Sequence, residues 1–234
     1  RSGRGRWRRA SRSGSSSRGP LRPPSRRSRC ERMTGIVREP SGIERVEARP
    51  HFFGYGSLVN RKTHDYAAAH PAKVAGWRRA WRYTALRPVA YLTAIPCAAS
   101  AIDGLVAEVP GGDWAALDQR EHAYDRHRVI DLEHMAPAAV AAEIYAIPAE
   151  RHVAPDEGHP VLLSYLDVVV QGYLDVFGEA GVTRFFETTD GWDAPILDDR
   201  GGRPATRATQ RLRPSERDLV DDWLARVEAR RITG

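Results

Sequence analysis

The run His51-Phe52-Phe53-Gly54-Tyr55-Gly56-Ser57-Leu58 packs a short apolar strand, two glycines and a hydroxyl into eight residues. Apolar aromatics followed by glycine predict a strand that stops at a sharp turn. Two glycines spaced by one residue let the backbone bend tightly and come close to a ligand. Successive N–H groups in such a turn form an anion-binding nest, and a following helix adds its N-terminal dipole. A carboxylate or a phosphate would fit. A plain tight turn is the other reading of this segment alone. The dinucleotide pattern GxGxxG and the nucleotide pattern GK[ST] do not match. The hydrolase elbow GxSxG fails because Ser57 is followed by Leu58-Val59.

Working outward, Asn60 can cap a helix over 60–69, stopped by Pro71. Residues 74–83, 89–95 and 105–109 read as strands, the last closed by Pro110-Gly111-Gly112. Asp113 caps a helix over 113–122, and 129–132 and 141–147 read as two further strands. A long helix is expected over 160–177, with Leu162, Leu166, Val169 or Val170, Tyr173 and Phe177 as its core stripe and Gly178 and Gly181 ending it. Ser215 with Asp218 predicts a capping box for a last helix, where Leu219, Trp223 and Val227 share a face. No repeat of 20–50 residues is visible. The order lacks βαβ alternation. It argues for the α+β class, a small mixed and largely antiparallel β-barrel with helices packed around it.

The net charge of +6 over 234 residues suggests nucleic acid at first sight. Its distribution removes that reading. Residues 1–32 hold twelve arginines against the single acid Glu31, a net +11, so the other residues together carry −5. Residues 1–49 are therefore read as a basic, disordered extension, with Met33 as the expected true start, and 50–234 as the domain. An arginine-rich arm on phosphates and a transit peptide are the alternatives for the extension. No run of about 18 apolar residues exists, so no membrane span is expected. Two cysteines, Cys30 and Cys97, make no disulfide framework and no metal spacing, which makes a reduced, cytoplasmic setting the expectation.

A second candidate for chemistry lies in the helix at 113–122. Trp114, Leu117 and Glu121 stand at i, i+3 and i+7, on the face that should pack inward. A carboxylate there has its pKa raised, which suits a general base, or is paired with Arg126 or Arg128. His122, His127, His134, His152 and His159 fall in no HxxxH or HExxH arrangement, so no metal site is expected and surface positions are. Cys97, with no spaced histidine, is read as a small buried residue.

Together these residues resemble the gamma-glutamylcyclotransferase superfamily. Phe53-Gly54-Tyr55-Gly56-Ser57-Leu58 looks like its glycine-rich signature at the end of a first strand. Leu117-Asp118-Gln119-Arg120-Glu121-His122-Ala123-Tyr124 looks like its second hallmark, a Glu on a short helix followed by a Tyr, 64 residues after Ser57. His122 stands where the family often keeps Gly. Asp198-Asp199-Arg200, followed by Pro204, resembles a late loop near the family's pocket. The likeness extends over about 51–212. It implies a small β-barrel with helices and an intramolecular reaction, in which the α-amine of a γ-glutamyl group attacks its own γ-carbonyl and 5-oxoproline leaves behind an amine, amino acid or peptide. By resemblance Glu121 is the acid/base, Tyr55, Gly56, Ser57 and Leu58 hold the α-carboxylate and γ-carbonyl, and Tyr124 completes the substrate site. The implied partner is a small γ-glutamyl molecule, with no cofactor, no metal, no nucleic acid and no membrane. A non-catalytic or differently specific member binding a small anionic metabolite is the alternative. The loops at 84–100 and 190–212 are where the leaving group would be chosen.

Overall fold

The structure, a computed structural model, describes residues 49–66, 68–201 and 210–233. The basic segment 1–32, Met33 and Pro204 lie outside the described residues.

Ten strands and three helices follow one another along the described residues. They are β1 (Arg49–Gly54), β2 (His70–Tyr83), β3 (Ala90–Glu108), α1 (Trp114–Arg120), β4 (Asp125–Arg128), β5 (Leu132–His134), β6 (Val140–Ala146), β7 (Val161–Leu162), α2 (Leu163–Glu187), β8 (Thr189–Asp190), β9 (Ile196–Asp198), α3 (Pro214–Arg226) and β10 (Arg231–Thr233). Seven strands form one sheet in the order β4-β6-β1-β3-β2-β5, with β8 pairing β2, and this sheet curls into a half-barrel. All its pairs are antiparallel except β1 with β6 and β2 with β8. β7, β9 and β10 make a small parallel sheet beside it. The α+β, largely antiparallel expectation holds.

The sheet is built on one long ladder. β2 and β3 pair from His70↔Val106 to Tyr83↔Ala90, with a bulge between Ala75 and Trp77 where Gly76 takes φ +81°. A left-handed bulge residue favours glycine. The two strands expected at 89–95 and 105–109 are one strand, continuous through Pro96. Gly104 sits within it because a Cβ would collide with the Gly54 carbonyl oxygen and the Phe53 ring.

Neighbouring residues of β1 point to opposite faces, as strand geometry requires. Phe53 joins Trp81, Ile102 and Leu105 of the sheet against Leu163, Leu166, Val169 and Tyr173 of α2. Phe52 joins Leu117 of α1, Val109 and Tyr145 in a smaller cluster on the other side. Each fully buried Phe or Leu contributes about 1.5–3 kcal/mol. α2 lies in the hollow of the half-barrel and is buried around its whole circumference from Leu166 to Tyr173, more than the expected stripe. Its break falls at Gly178 (φ +65°), as read from sequence, but the helical run resumes to Glu187. The buried Arg79 donates to the Tyr173 hydroxyl (2.7 Å), the Asp103 carbonyl (2.8 Å) and the Thr188 hydroxyl (2.6 Å), locking the sheet to α2.

Three local expectations are corrected. Among the described residues of 60–69 no α-helix forms. Two 3₁₀ turns, Ser57–Val59 and Arg61–Thr63, replace it, and Asn60 donates to the Val168 carbonyl (2.9 Å) and Gln171 Oε1 (3.0 Å) of α2. The strand expected at 129–132 is displaced, with β4 ending before it and β5 beginning at its last residue. The cap of α3 is made two residues earlier than the Ser215–Asp218 pair. Pro214 opens the helix and buried Glu216 accepts the Arg213 N–H at 2.7 Å. Cys97 is buried, as expected.

Candidate active site

The turn after β1 is held from three sides. A Cβ on Gly54 would lie 2.7 Å from Leu58 Cβ, so the chain folds tightly over itself there. Tyr55 turns inward. Its hydroxyl donates to the Tyr145 carbonyl (2.6 Å) and accepts from the Ala94 N–H (3.0 Å), while its own carbonyl accepts from the Tyr173 hydroxyl (2.9 Å). Burial raises its pKa far above the usual phenol range. Gly56 has φ −112°, so no left-handed conformation demands glycine here. Space does, since a Cβ would sit 2.8 Å from the Tyr165 hydroxyl. Ser57 then faces Tyr165, and its N–H and hydroxyl favour the ionised form of that phenol against the burial that raises its pKa. Leu58 turns away to the cluster under α1.

α1 brings in the carboxylate. Asp113 caps it by accepting the Ala115 N–H (2.9 Å), as the sequence indicated. Leu117 is its buried anchor, and Glu121 closes it as the C-cap with its N–H on the Leu117 carbonyl (2.9 Å). The helix is tied down through Asp118, which accepts from the Tyr145 hydroxyl (2.6 Å) and pairs with Arg126 (2.7 Å). Arg126 also pairs with Glu143 (2.8 Å) and lies 4.5 Å over the Trp114 ring. Arg126 is therefore taken. The partner of Glu121 is Arg120, at 3.2 Å, and neither of the arginines expected. Burial pushes the Glu121 carboxyl above the usual carboxylate range, opposed by the charges of Arg120 and His122. Tyr124 packs edge-on to Tyr91 and donates to the Leu92 carbonyl (3.2 Å). Burial holds its phenol well above the ordinary value.

These groups share a cavity of about 440 Å³, lined by Ser57, Glu121, Tyr124 and Tyr165 together with the connection entering β3. Of the sequence-predicted residues, Ser57, Glu121 and Tyr124 meet there. The side chains of Tyr55 and Leu58 point into the packing behind, and Gly56 contributes its lack of a side chain. Tyr165 was not among the residues singled out. It stands one position before the stripe residue Leu166, and only the folded helix carries its hydroxyl to the turn. Burial pushes that hydroxyl up to about 12, so it is neutral near pH 7 and can donate. The Asp198–Arg200 loop does not line the cavity. It fixes the start of α2, where Asp199 accepts the Ser164 N–H (2.8 Å) and hydroxyl (2.6 Å) and Arg200 grips Asp167 through two hydrogen bonds.

A larger cavity of about 610 Å³ beside Arg211, Pro214 and Arg217 contains none of these groups. Among the described residues no cluster of three or more His, Cys, Asp or Glu side chains could hold a metal ion, and no helix is long and apolar enough to cross a membrane.

Residues 52–164, just under half of the chain, match the model of one family, described as gamma-glutamyl cyclotransferase, AIG2-like. Over that segment the chain is similar to this family. The match spans both the turn after β1 and Glu121, and stops one residue short of Tyr165. Several solved structures resemble the chain at low identity. One, titled gamma-glutamyl cyclotransferase, is 13% identical, with 74% of this chain and 98% of that one covered and a TM-score of 0.44. An uncharacterized protein from Homo sapiens is 12% identical, with 73% and 97% covered and a TM-score of 0.44. A gamma-glutamyl cyclotransferase specific to glutathione from yeast is 13% identical, with 76% and 99% covered and a TM-score of 0.37. No curated protein matches the chain.

Proposed function

We propose that the chain is a γ-glutamyl cyclotransferase, releasing 5-oxoproline from a small γ-glutamyl compound. The observation that supports this reading is the meeting of a raised-pKa carboxylate, Glu121, with the Ser57 turn in one cavity, inside a segment that matches the cyclotransferase family. The substrate's α-amine, neutral after loss of its first proton, attacks its own γ-carbonyl carbon. Ring closure supplies proximity, so the protein has to hold the rotamer and move one proton. Glu121 takes the proton from the attacking nitrogen as the new C–N bond forms, and returns it to the leaving nitrogen as the old one breaks. A carboxyl group with a raised pKa holds that proton longer than an ordinary carboxylate, which suits both transfers. The Ser57 N–H and the neutral Tyr165 hydroxyl are donors available to the oxygen that becomes negative between the two steps. In the free protein they face each other, so a substrate oxygen between them would meet both.

The test is 5-oxoproline release from γ-glutamyl amino acids, amines and glutathione. Glu121→Gln keeps shape and hydrogen bonding but cannot carry the proton, and lowers turnover by about 10²–10⁴. Undiminished 5-oxoproline formation by that variant rules out the mechanism.

A further inference from the structure

Among the described residues, two guanidinium groups line the cavity, and they are differently committed. Arg120 bonds to Glu121 (3.2 Å) and the Tyr66 hydroxyl (3.1 Å), with its guanidinium 5.9 Å over the Tyr66 ring. Arg87 lies on the exposed connection between β2 and β3 and has no acidic partner among the described residues. The two also act on different ends of the site. The charges felt by Glu121 are those of Arg120 and His122, and Arg120 acts on Tyr165 as well. The charge of Arg87 acts on Tyr91, which stacks edge-on to Tyr124 at 6.2 Å. The cavity therefore runs from a reacting end, Ser57–Glu121–Tyr165, past Tyr124 to an end that carries a positive charge unpaired among the described residues.

Resting on the cyclotransferase reading, we propose that Arg87 selects the leaving group: γ-glutamyl compounds whose departing amine bears its own carboxylate, amino acids and peptides, over γ-glutamylamines that bear none. The glutamyl amine and γ-carbonyl must lie against Glu121 and Ser57 to react. The rest of the substrate then extends toward Tyr91 and Arg87. An arginine offers a carboxylate two parallel N–H donors, and such charge-assisted pairs are the strong ones. A neutral alkyl leaving group would leave that guanidinium unmatched. The only carboxylate lining the cavity among the described residues, Glu121, acts at the opposite end.

The experiment compares γ-glutamyl-alanine with γ-glutamyl-alaninamide, which differ only in the leaving-group carboxylate. Native protein is expected to favour the acid in kcat/KM by about tenfold or more, the worth of one charged hydrogen-bonded pair. Arg87→Gln brings the ratio close to one, and Arg87→Lys keeps part of it. A ratio near one in the native protein, or an unchanged ratio in Arg87→Gln, overturns the assignment while 5-oxoproline release keeps the cyclotransferase reading. Calorimetric binding of glutaryl-alanine and glutaryl-alaninamide, which lack the α-amine and cannot cyclise, gives a readout free of turnover. If neither γ-glutamyl compound is turned over, the cyclotransferase reading fails. Tighter glutaryl-alanine binding that Arg87→Gln abolishes then still upholds Arg87 as the carboxylate receptor, and equal or absent binding of the two overturns it.

Discussion

Gly56 and Tyr165 are expected to be coupled, and the size of the coupling follows from the geometry. A methyl group added at Gly56 would sit 2.8 Å from the Tyr165 hydroxyl oxygen. Apart from the glycine's own chain neighbours, the next atom is Leu92 Cδ2 at 3.7 Å, and nothing else among the described residues lies within 4 Å. The ring carbons of Tyr165 are therefore already clear, and one oxygen atom makes the whole conflict. That oxygen faces the Ser57 N–H and hydroxyl, so moving it disturbs a polar contact as well. Overpacking of this kind costs about 1–3 kcal/mol. Tyr165→Phe alone loses the polar contact with Ser57, worth at most about 1 kcal/mol. It also removes the obstructing atom, so Gly56→Ala combined with Tyr165→Phe meets only an ordinary contact. Any backbone effect of alanine, folded or unfolded, is the same in both backgrounds and cancels. Urea unfolding of the four proteins should give a coupling of about 1–2 kcal/mol, with Gly56→Ala much less harmful once the hydroxyl is gone. Additivity within about 0.5 kcal/mol would refute the claim that Gly56 is glycine to make room for Tyr165.

Tyr55→Phe should lower stability by about 1–3 kcal/mol in denaturant melts, because it strands the buried Ala94 N–H and Tyr145 carbonyl. An unchanged melt would show that the hydroxyl is not an anchor. The acidic limb of kcat/KM should lie above the ordinary carboxylate range and vanish in Glu121→Gln. The same shift makes ionised Glu121 a liability. Its folded pKa is raised, so the native protein carries no penalty below the unfolded value and loses stability as pH rises through the folded one. Glu121→Gln should therefore be as stable as the native protein, or more so, at neutral pH, and a lower melting temperature there would contradict this. Gly172→Ala brings a Cβ within 2.6 Å of the Asn60 backbone nitrogen, which cannot swing aside. A loss of about 1–3 kcal/mol in thermal or urea unfolding is expected, and a neutral result would mean that α2 and the turn at Asn60 are not in rigid contact.

What could be read from the sequence was what repeats or caps locally. The apolar-then-glycine end of β1, the Asp113 cap of α1 and the glycine break in α2 each depend on neighbours within a few positions, and each lies where expected. The misses are tertiary. Pro96 and the small residues around it read as a loop, yet the long ladder with β2 carries β3 straight through them. Asn60 has the chemistry of a helix cap, and caps only a single 3₁₀ turn while bonding across to α2. Helical phase located Glu121, but not its pairing with the adjacent Arg120, since Arg126 is drawn off by Asp118 and Glu143 on another element. Tyr165 lay more than 100 residues from the turn it touches, and no local pattern connects the two.

The position of β1 in the sheet has a consequence for how the protein is made. β1 is hydrogen-bonded on one side to β3 and on the other to β6, with Arg49 in register with Val140. It leaves the ribosome before the other strands and finds its second partner only after about 90 more residues. β2 and β3 are joined by a short connection and share the longest ladder, so loop closure favours them as the earliest paired strands. The turn at Gly54–Ser57 can reach its working geometry only once Ala94, Tyr145 and Tyr173 are in place around Tyr55. Cavity formation should thus be among the last events of folding, and a chain arrested before β6 should carry the β2–β3 hairpin without any capacity to bind substrate.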